Sequence, residues 1–306
     1  MTTTKLEPEM TNRTEGDLSL PYPPSWVDRI IARIDRLSWP AWLVYSAALL
    51  AGLLIRHAAH WIDGSLPAGS FSLDVAVGAP FLVVPPVAQY YLNATARRAL
   101  REFRPALQIE DARSTALEYQ LTTLPARAGL IAGGLGAALQ VLAIAINPAS
   151  FGISSINSPI TNVLESAYLM LVAALLLVFI FHTLRQLRLV ASLHARAKQL
   201  NLFQLVPVYA FSSLTARTGL VILLYVYYNF GFYFYLNIQR SPTGFLETAG
   251  LVFLFVVSVS CFVLPLHGIH HRLVAEKSPC WERPVAAPST FSSSCTSEWT
   301  MANMTG

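Results

Sequence analysis

The sequence predicts an all-α fold: a polytopic transmembrane helical bundle of six spans, with an internal repeat of two helical hairpins in the same orientation. Composition is the first reason, because 54% of the 306 residues are hydrophobic and only 12% are charged, whereas a soluble domain carries about 25% charged residues. The second is a set of six apolar stretches, each of about 20 residues, the length that a helix needs to cross a bilayer. The third is a short phrase that occurs twice, each time before an apolar stretch.

The segment before the first span, residues 1–38, is expected to be a cytoplasmic lead that is disordered or amphipathic. It begins with the polar, proline-rich stretch MTTTKLEPEMTNRTEGDLSLPYPPS. A start of this kind lacks the apolar core of a secretory signal peptide, and its low hydrophobicity favours disorder.

The six spans make up residues 39–267. They are predicted at about 39–58, 73–92, 128–146, 163–181, 218–237 and 245–267. The second contains Pro85 and Pro86, which are expected to kink it because proline removes a backbone donor and clashes with the preceding turn. Neighbouring helices would then have to satisfy the freed carbonyl groups.

The distribution of basic residues orients these spans. Lys and Arg number five before the first span, six between the second and third, five between the fourth and fifth, and three after the sixth, against two on the opposite side. Cytoplasmic loops carry such an excess of Lys and Arg. The protein is therefore expected in the plasma (inner) membrane of the cell, with both termini in the cytoplasm.

The repeated phrase is LPARAGL at residues 124–130 and LTARTGL at residues 214–220. Each copy lies where a span enters from the cytoplasm, and RALR at 98–101 resembles RQLR at 185–188 upstream of them. Two hairpins of the same orientation explain this order, unlike the inverted repeats of many transporters.

Basic residues beside the spans are candidates for anchoring the protein or for binding lipid phosphate. They are Arg127, Arg185, Arg188, Arg196, Lys198 and Arg217. Segment 187–197 has apolar residues at helical spacing, which predicts a basic amphipathic helix on the inner leaflet and makes anionic lipids a candidate partner of the protein. The alternatives are interfacial snorkelling of the side chains and a topology signal with no further role.

Three acidic residues share one position in the predicted spans. Asp74, Glu165 and Glu247 each fall in the first turn of a helix that enters from the outer side. A carboxylate at that position complements the positive end of the helix dipole. The alternative is an outward-facing acidic ring that binds a cation or an amine.

Histidines and tyrosines supply two further candidate sites. His57, His60 and Asp63 follow one another at intervals of three residues, which places ligand types that Zn²⁺ takes on one helical face; the alternative is ordinary interfacial histidine, and no metal or other cofactor is expected. Tyr225 and Tyr228 lie deeper than an aromatic belt requires. With Asn229 they are candidates for lining a ligand pocket, and the alternative is packing in the core or belt.

Some function classes are disfavoured by the sequence. It contains no HExxH, Walker A, GxSxG or paired acidic metal motif, so an enzyme is less expected than a protein without catalytic activity. The basic residues lie beside apolar runs, where membrane topology explains them, so nucleic acid is not an expected partner.

The tail, residues 268–306, is expected to be cytoplasmic. The helical pattern ends after Lys277, and residues 278–306 hold two of the three cysteines and two of the six tryptophans without any period. Two explanations stay open: a native disordered tail, and a frameshift near Ser278 that has replaced a charged helical extension.

The stretches LRLVASLHARAKQLNLFQLVPVYAFSSLTARTG and LPLHGIHHRLVAEK resemble those of bacterial six-helix, multi-pass membrane proteins that continue into a charged cytoplasmic helix and have no assigned activity. The resemblance covers about residues 40–277. It implies the same six-helix layout and supplies no catalytic residues.

Three functions remain as hypotheses. The first is a membrane sensory or scaffold module that couples the bilayer or a small ligand to a cytoplasmic signalling partner or to a second copy of the chain. The second is a transporter or channel subunit for a small solute or ion, favoured by the repeat, the proline-interrupted second span and the acidic outer ends. The third, an enzyme acting on lipid, requires a buried polar cluster that the sequence does not reveal.

Overall fold

The computed structural model of this chain describes residues 21–107, 111–149, 151–153, 156–196, 205–239, 249–250 and 252–260. Within these ranges every regular element is a helix, and the only β-type contact is an isolated antiparallel bridge between Pro24 and Pro125. The predicted all-α fold is therefore confirmed.

The described residues form eight helices, α1 to α8, and residues 252–260 are helical as well. The bounds are α1 Trp26–Asp35, α2 Ala41–Asp63, α3 Leu73–Gly78, α4 Pro80–Leu107, α5 Asp111–Thr122, α6 Ala126–Ile146, α7 Pro159–Arg196 and α8 Leu205–Gln239.

Four stretches of the described chain are long and apolar enough to cross a membrane. They are Ala41–Asp63, Leu73–Arg104, Ala126–Ile146 and Pro159–Leu193, and they overlap the first four predicted spans. The fifth predicted span, 218–237, falls inside α8. Most of the sixth, 245–267, and the whole tail at 268–306 lie outside the described residues. The described part is therefore all-helical with four candidate membrane-spanning helices, which is compatible with a membrane protein.

Part of the lead forms an ordered helix, α1. Ser25 caps it, because the Ser25 side chain accepts a hydrogen bond from the backbone N–H of Asp28. Val27 and Ile31 lie one turn apart and are buried against α6 and α7. Residues 26–35 of the lead thus form a helix with a buried apolar face.

The second predicted span is interrupted earlier than its paired prolines predict. Helix α3 ends at Gly78 and α4 begins at Pro80, while Pro85 and Pro86 lie inside α4. Proline suits the first position of a helix, because the N–H of that residue has no partner inside the helix in any case. The structure thus places the interruption at Ala79.

Two helices are longer than a membrane requires. Helix α7 has 38 residues and α8 has 35, which at 1.5 Å per residue gives about 50–57 Å, against about 30 Å for the hydrocarbon core. The ends of α4, α7 and α8 pack with α5 in what we term the extension bundle. Its buried apolar residues are Ala96, Ala99, Leu100, Phe103, Leu121, Val190, Leu193 and Leu214.

The apolar face predicted for segment 187–197 exists, but protein covers it. Leu187, Val190 and Leu193 are all buried, the last two inside the extension bundle. Helix α7 continues from the span without a break, and in its extension this face packs against α4 and α5. The prediction that it lies on the inner leaflet is wrong for these three residues, and Ala197 lies outside the described part.

Gly136 allows close packing between α6 and α7. A Cβ atom there would lie 2.5 Å from the backbone oxygen of Ala173. We expect Gly136→Ala to push the two helices apart and to lower the free energy of unfolding by about 1–3 kcal/mol, the usual effect of overpacking.

Gly134→Ala is the matched control, because nothing lies within 4 Å of a Cβ atom at Gly134. This variant should be as stable as the native protein or slightly more stable, since alanine is the better helix former. Unfolding in mixed micelles measures both variants, and equal stability of Gly136→Ala and Gly134→Ala would contradict the prediction.

Candidate functional site at the helix break

The interruption at Ala79 leaves backbone carbonyl groups without helical partners. Pro80 has no N–H to donate, and the change of helix removes further donors. Within a membrane such groups need donors from other parts of the protein, because water does not supply them there.

Side chains from three other helices supply these donors. Arg56 of α2, Tyr168 of α7 and Tyr228 of α8 each donate to a carbonyl oxygen within residues 75–79. The Arg56 Nη1 atom and the Tyr168 hydroxyl both lie 3.0 Å from their acceptors. The break is therefore a junction at which α2, α7 and α8 contact α3.

The guanidinium of Arg56 also forms an ion pair with Glu165 of α7. Its Nη2 lies 2.9 Å from Glu165 Oε2, and its Nε lies 3.0 Å from Oε1. The Arg56 side chain is 12% exposed and that of Glu165 is 6% exposed. Two charges removed from solvent in this way stabilise each other, and either one alone would be unfavourable.

Two more side chains complete what we term the helix-break cluster of Arg56, His60, Glu165 and Tyr168. His60 Nε2 lies 3.4 Å from Glu165 Oε1. The Arg56 guanidinium carbon lies 4.4 Å from the centre of the Tyr168 ring, within the range of a cation–π interaction. The cluster thus holds one carboxylate between a guanidinium and an imidazole.

The structure corrects the predicted position of Glu165. Helix α7 begins at Pro159 and has no acidic residue in its first turn, so Glu165 lies one turn further on and is paired with Arg56. Asp74 lies in the first turn of α3, as predicted. Glu247 lies outside the described residues, and the acidic ring therefore stays a prediction.

His57 has protein partners for both ring nitrogens. Its Nδ1 lies 2.9 Å from the carbonyl oxygen of Leu53, and its Nε2 accepts from the backbone N–H of Ser72 at 3.3 Å. The ring stacks on Phe71 with centroids 5.2 Å apart. The imidazole thereby ties the turn after α2 to that helix.

Asp63 binds the start of α7. Its carboxylate accepts from the backbone N–H groups of Asn157 and Ser158, directly before that helix, where a negative charge complements the helix dipole. His60 meanwhile contacts Ser65 and Glu165. The three predicted metal ligands therefore have separate partners, and no group of three or more His, Cys, Asp or Glu side chains in the described chain is arranged to hold a metal ion.

The tyrosines of α8 lie beside the break. Tyr225 is buried, and both it and Tyr228 pack edge-on against Phe81, with ring centroids 5.8 and 5.0 Å away. Asn229 donates to the carbonyl oxygen of Tyr225 within its own helix. Tyr225 fits the packing alternative, whereas Tyr228 also takes part in the junction.

A second polar network, centred on Asp28, attaches α1 to the bundle. One carboxylate oxygen of Asp28 accepts from Ser25 Oγ at 2.7 Å and from the backbone N–H of Leu124 at 2.9 Å. The other accepts from Gln89 Nε2 of α4 at 2.9 Å. Asp28 is buried, so this one side chain joins α1, α4 and the turn before α6.

Arg185 belongs to the same region and binds protein. Its Nη1 donates to the carbonyl oxygens of Gln120 and Thr123 at 3.0 and 2.7 Å, and its Nη2 donates to the Tyr22 hydroxyl at 2.8 Å. These protein contacts form because α5 ends against this guanidinium and its carbonyl groups there need donors. The anchoring or lipid-phosphate role expected for Arg185 stays a prediction.

Tyr22 and Tyr119 add two hydrogen bonds between the segment before α1 and the end of α5. Tyr119 donates its hydroxyl to the Tyr22 carbonyl oxygen at 2.7 Å, and the Tyr22 hydroxyl donates to the Thr123 carbonyl oxygen at 2.9 Å. Burial raises the pKa of Tyr22 and of Tyr119 above the ordinary value for tyrosine, and for Tyr22 it outweighs the opposite effect of Arg185. Both hydroxyls therefore stay protonated and able to donate at neutral pH.

The other basic candidates lie at the surface where the structure describes them. Arg127, Arg188 and Arg217 are exposed, and the Arg217 guanidinium lies 6.0 Å from the centre of the Tyr91 ring. A role for these three in lipid binding stays a prediction. The side chain of Arg196 and the whole of Lys198 lie outside the described part.

Neither Arg56 nor Asp28 was among the site residues predicted from the sequence. Arg56 carried a signal, because it is one of only two basic residues on the side that is poor in Lys and Arg. The sequence around Asp28 also contained a signal, since Ser25 and Asp28 stand three apart, with the apolar residues Val27 and Ile31 beside them, as at many helix starts. Neither pattern identifies the partner residues, because these lie in a distant part of the chain.

No family model, curated protein or solved structure matches this chain.

Proposed function

We propose that the protein is a membrane-embedded sensory or scaffold module that couples the bilayer or a small ligand to a cytoplasmic partner. The observation that carries this proposal is the continuity of α4 and α7, which run from candidate spans directly into the extension bundle. A shift of either span therefore displaces the bundle without an intervening loop, and a packed bundle changes between discrete arrangements.

The layout that we propose has six spans in the plasma membrane and both termini in the cytoplasm. It places the extension bundle on the cytoplasmic side. The bundle helices α4, α5 and α7 carry most of the loop arginines, and an excess of basic residues on that side supports this orientation.

The repeat of two like-oriented hairpins is also part of the proposal. Leu124 and Leu214, the first residues of the two phrases, are fully buried, and Arg127 and Arg217 are both exposed. Matching exposure supports a common origin. The local structures differ, because α6 begins at Ala126 within the first phrase whereas the second phrase lies inside α8.

Helix α1 is the element through which we expect a change in the spans to reach a partner. It touches the spans through the Asp28 network. Its opposite face presents Arg29, Arg33 and Arg36, all exposed. A helix of 10 residues is marginal in isolation, so docking decides whether it stays folded in place.

A spin-label distance measurement tests this role. The three native cysteines are replaced by serine. Spin labels at Ala32→Cys on α1 and Ala191→Cys on α7, both exposed positions, then report the distance between α1 and the extension bundle. We expect the distance distribution to change between bilayers that differ in thickness or anionic lipid content, because the spans tilt or shift with thickness.

Labels at Gly134→Cys and Leu171→Cys form the control pair, since both positions are exposed on the tightly packed helices α6 and α7. Their distance should stay constant. An Ala32–Ala191 distance that is the same in every bilayer would remove the sensory function.

A transporter or channel subunit is the second candidate, and the interrupted helix at Ala79 favours it. Discontinuous helices form the substrate sites of many transporters. Solute uptake into vesicles tests this candidate. Transport in place of sensing would be supported if vesicles with the protein take up more solute than protein-free vesicles, and if Tyr228→Phe at the break reduces that uptake.

A further inference from the structure

A layer of buried polar side chains crosses the bundle between two apolar cores. Its members, which we term the polar layer, are Gln89 and Asn93 of α4, His182, Thr183 and Gln186 of α7, and Thr218 of α8. Asn93 is the most accessible of them, at 8% exposure. Three helices thus place buried polar side chains at about the same height in the bundle.

The layer lies at the boundary between the core of the extension bundle and a second apolar cluster of α4, α7 and α8, which we term the membrane core. On α7 it follows Ile180 of the membrane core and precedes Val190 of the extension core, while Leu187, directly after Gln186, still packs in the membrane core. On α8 Thr218 lies between Leu214 of the extension core and Ile222 of the membrane core. Polar layers of this kind, built from facing helices, form ligand sites in other helix bundles.

Part of the hydrogen-bonding capacity of the layer is used within the protein. His182 Nε2 donates to Asn93 Oδ1 at 2.9 Å. The amide nitrogen of Gln186 donates to the carbonyl oxygen of Leu121 at 3.1 Å, and that of Gln89 donates to Asp28 at 2.9 Å. These contacts fix the orientation of the imidazole and of both amides.

The remaining capacity has no protein partner within the described chain. The unpartnered atoms are His182 Nδ1, Thr183 Oγ1, Gln186 Oε1 and Thr218 Oγ1. All four residues are at least 98% buried. Buried polar groups in native proteins are hydrogen-bonded to protein or to bound water, so four at one level call for a bound molecule.

The chemistry of these atoms defines what they bind. With its Nε2–H directed to Asn93, His182 presents the lone pair of Nδ1, and Gln186 Oε1 is also an acceptor. These two residues stand one turn apart on the same face of α7, where side chains are neighbours. The threonine hydroxyls both accept and donate, so the bound molecule must donate at least two hydrogen bonds.

The charges around the layer favour an uncharged bound molecule. The charged groups nearest to the layer are Asp28 and Arg185, and each already has protein partners. An ion would lose its hydration without gaining an opposite charge. Water meets every requirement, since it donates two hydrogen bonds and buried waters typically make about three.

We propose that the polar layer is a binding site for a small uncharged hydrogen-bond donor, held by His182, Thr183, Gln186 and Thr218, and that its occupant is bound water. This hydrated layer is the joint between the membrane core and the extension bundle, where hydrogen bonds to exchangeable water replace fixed apolar packing. The inference does not depend on the sensory function.

Water-edited solid-state NMR of the full chain in lipid bilayers, with labelled histidine and valine, tests the site. Magnetisation from water protons should reach the His182 ring at short mixing times, severalfold faster than it reaches Val178, which is fully buried among apolar residues. Loss of the signal in His182→Phe identifies it. A His182 ring that receives magnetisation as slowly as Val178 would overturn the proposal.

Thr218→Val and Thr183→Val separate a wet layer from a dry one, because valine keeps the shape of threonine without its hydroxyl. Around bound water both variants should slow the transfer to His182 and lower the unfolding temperature. In a dry layer they would raise that temperature by removing an unsatisfied group, which is the opposite result. Thr95→Val is the control, since the Thr95 hydroxyl already donates to the Tyr91 carbonyl oxygen, and the transfer to His182 should be unchanged.

Discussion

Replacement of Glu165 with leucine should lower the free energy of unfolding by about 3–5 kcal/mol, the usual result of removing one partner from a buried ion pair. In this variant the Arg56 guanidinium stays buried and, among the residues that the structure describes, keeps the Val75 carbonyl oxygen as its hydrogen-bond partner. The double variant Arg56→Leu with Glu165→Leu should recover much of the loss, because no uncompensated charge is left. Unfolding in mixed micelles by increasing SDS measures all three proteins.

An exposed ion pair on α4 provides the control. Arg98 and Glu102 form a hydrogen-bonded pair four residues apart, with side chains 74% and 40% exposed. Such pairs contribute about 0–1 kcal/mol, so Glu102→Leu should have a small effect. A Glu165→Leu variant no less stable than Glu102→Leu would show that the helix-break cluster does not hold α2 against α7.

The second large effect is expected from Asp28→Ala, which should release α1 from the bundle. The substitution leaves the side-chain amide of Gln89 and the backbone N–H of Leu124 without their acceptor, and each unsatisfied buried group costs about 1–3 kcal/mol. The apolar contacts of Val27 and Ile31 remain, but we expect that they do not hold a helix of 10 residues in place by themselves. Hydrogen exchange read by mass spectrometry should show faster exchange across residues 26–35 and around Leu124.

Asp35→Ala is the matched control, because Asp35 is an exposed aspartate on the same helix. It should leave the exchange rate of α1 unchanged. Asp28→Asn should be intermediate, since the amide oxygen still accepts hydrogen bonds but with less strength than a carboxylate. Native protection of residues 26–35 in Asp28→Ala would show that apolar contacts alone dock the helix.

The pattern of apolar residues predicted where the helices lie more accurately than it predicted what surrounds them. Segment 187–197 was correctly given an apolar face, but lipid was named as its cover, and the structure buries Leu187, Val190 and Leu193 in protein. Periodicity reports that a face needs an apolar neighbour. It does not distinguish lipid from another helix, because both satisfy the same requirement.

The position of the helix break was also predicted only in part. Pro85 and Pro86 predicted an interruption in the correct span, but α3 ends at Gly78 and α4 begins at Pro80. A proline is compatible with a helix start and is tolerated inside a span when neighbouring groups satisfy the freed carbonyls. Which proline ends the helix therefore depends on where Arg56, Tyr168 and Tyr228 can reach.

By itself the sequence determined the helical fold and the position of the first four candidate spans, because the length and hydropathy of a stretch are local properties of the chain. The tertiary structure alone decided which polar groups meet. Arg56 and Glu165 are 109 residues apart, and Asp28 and Leu124 are 96 apart. Such pairs form only when helices pack, since a buried charge or a freed carbonyl takes whichever partner the packing brings within about 3 Å.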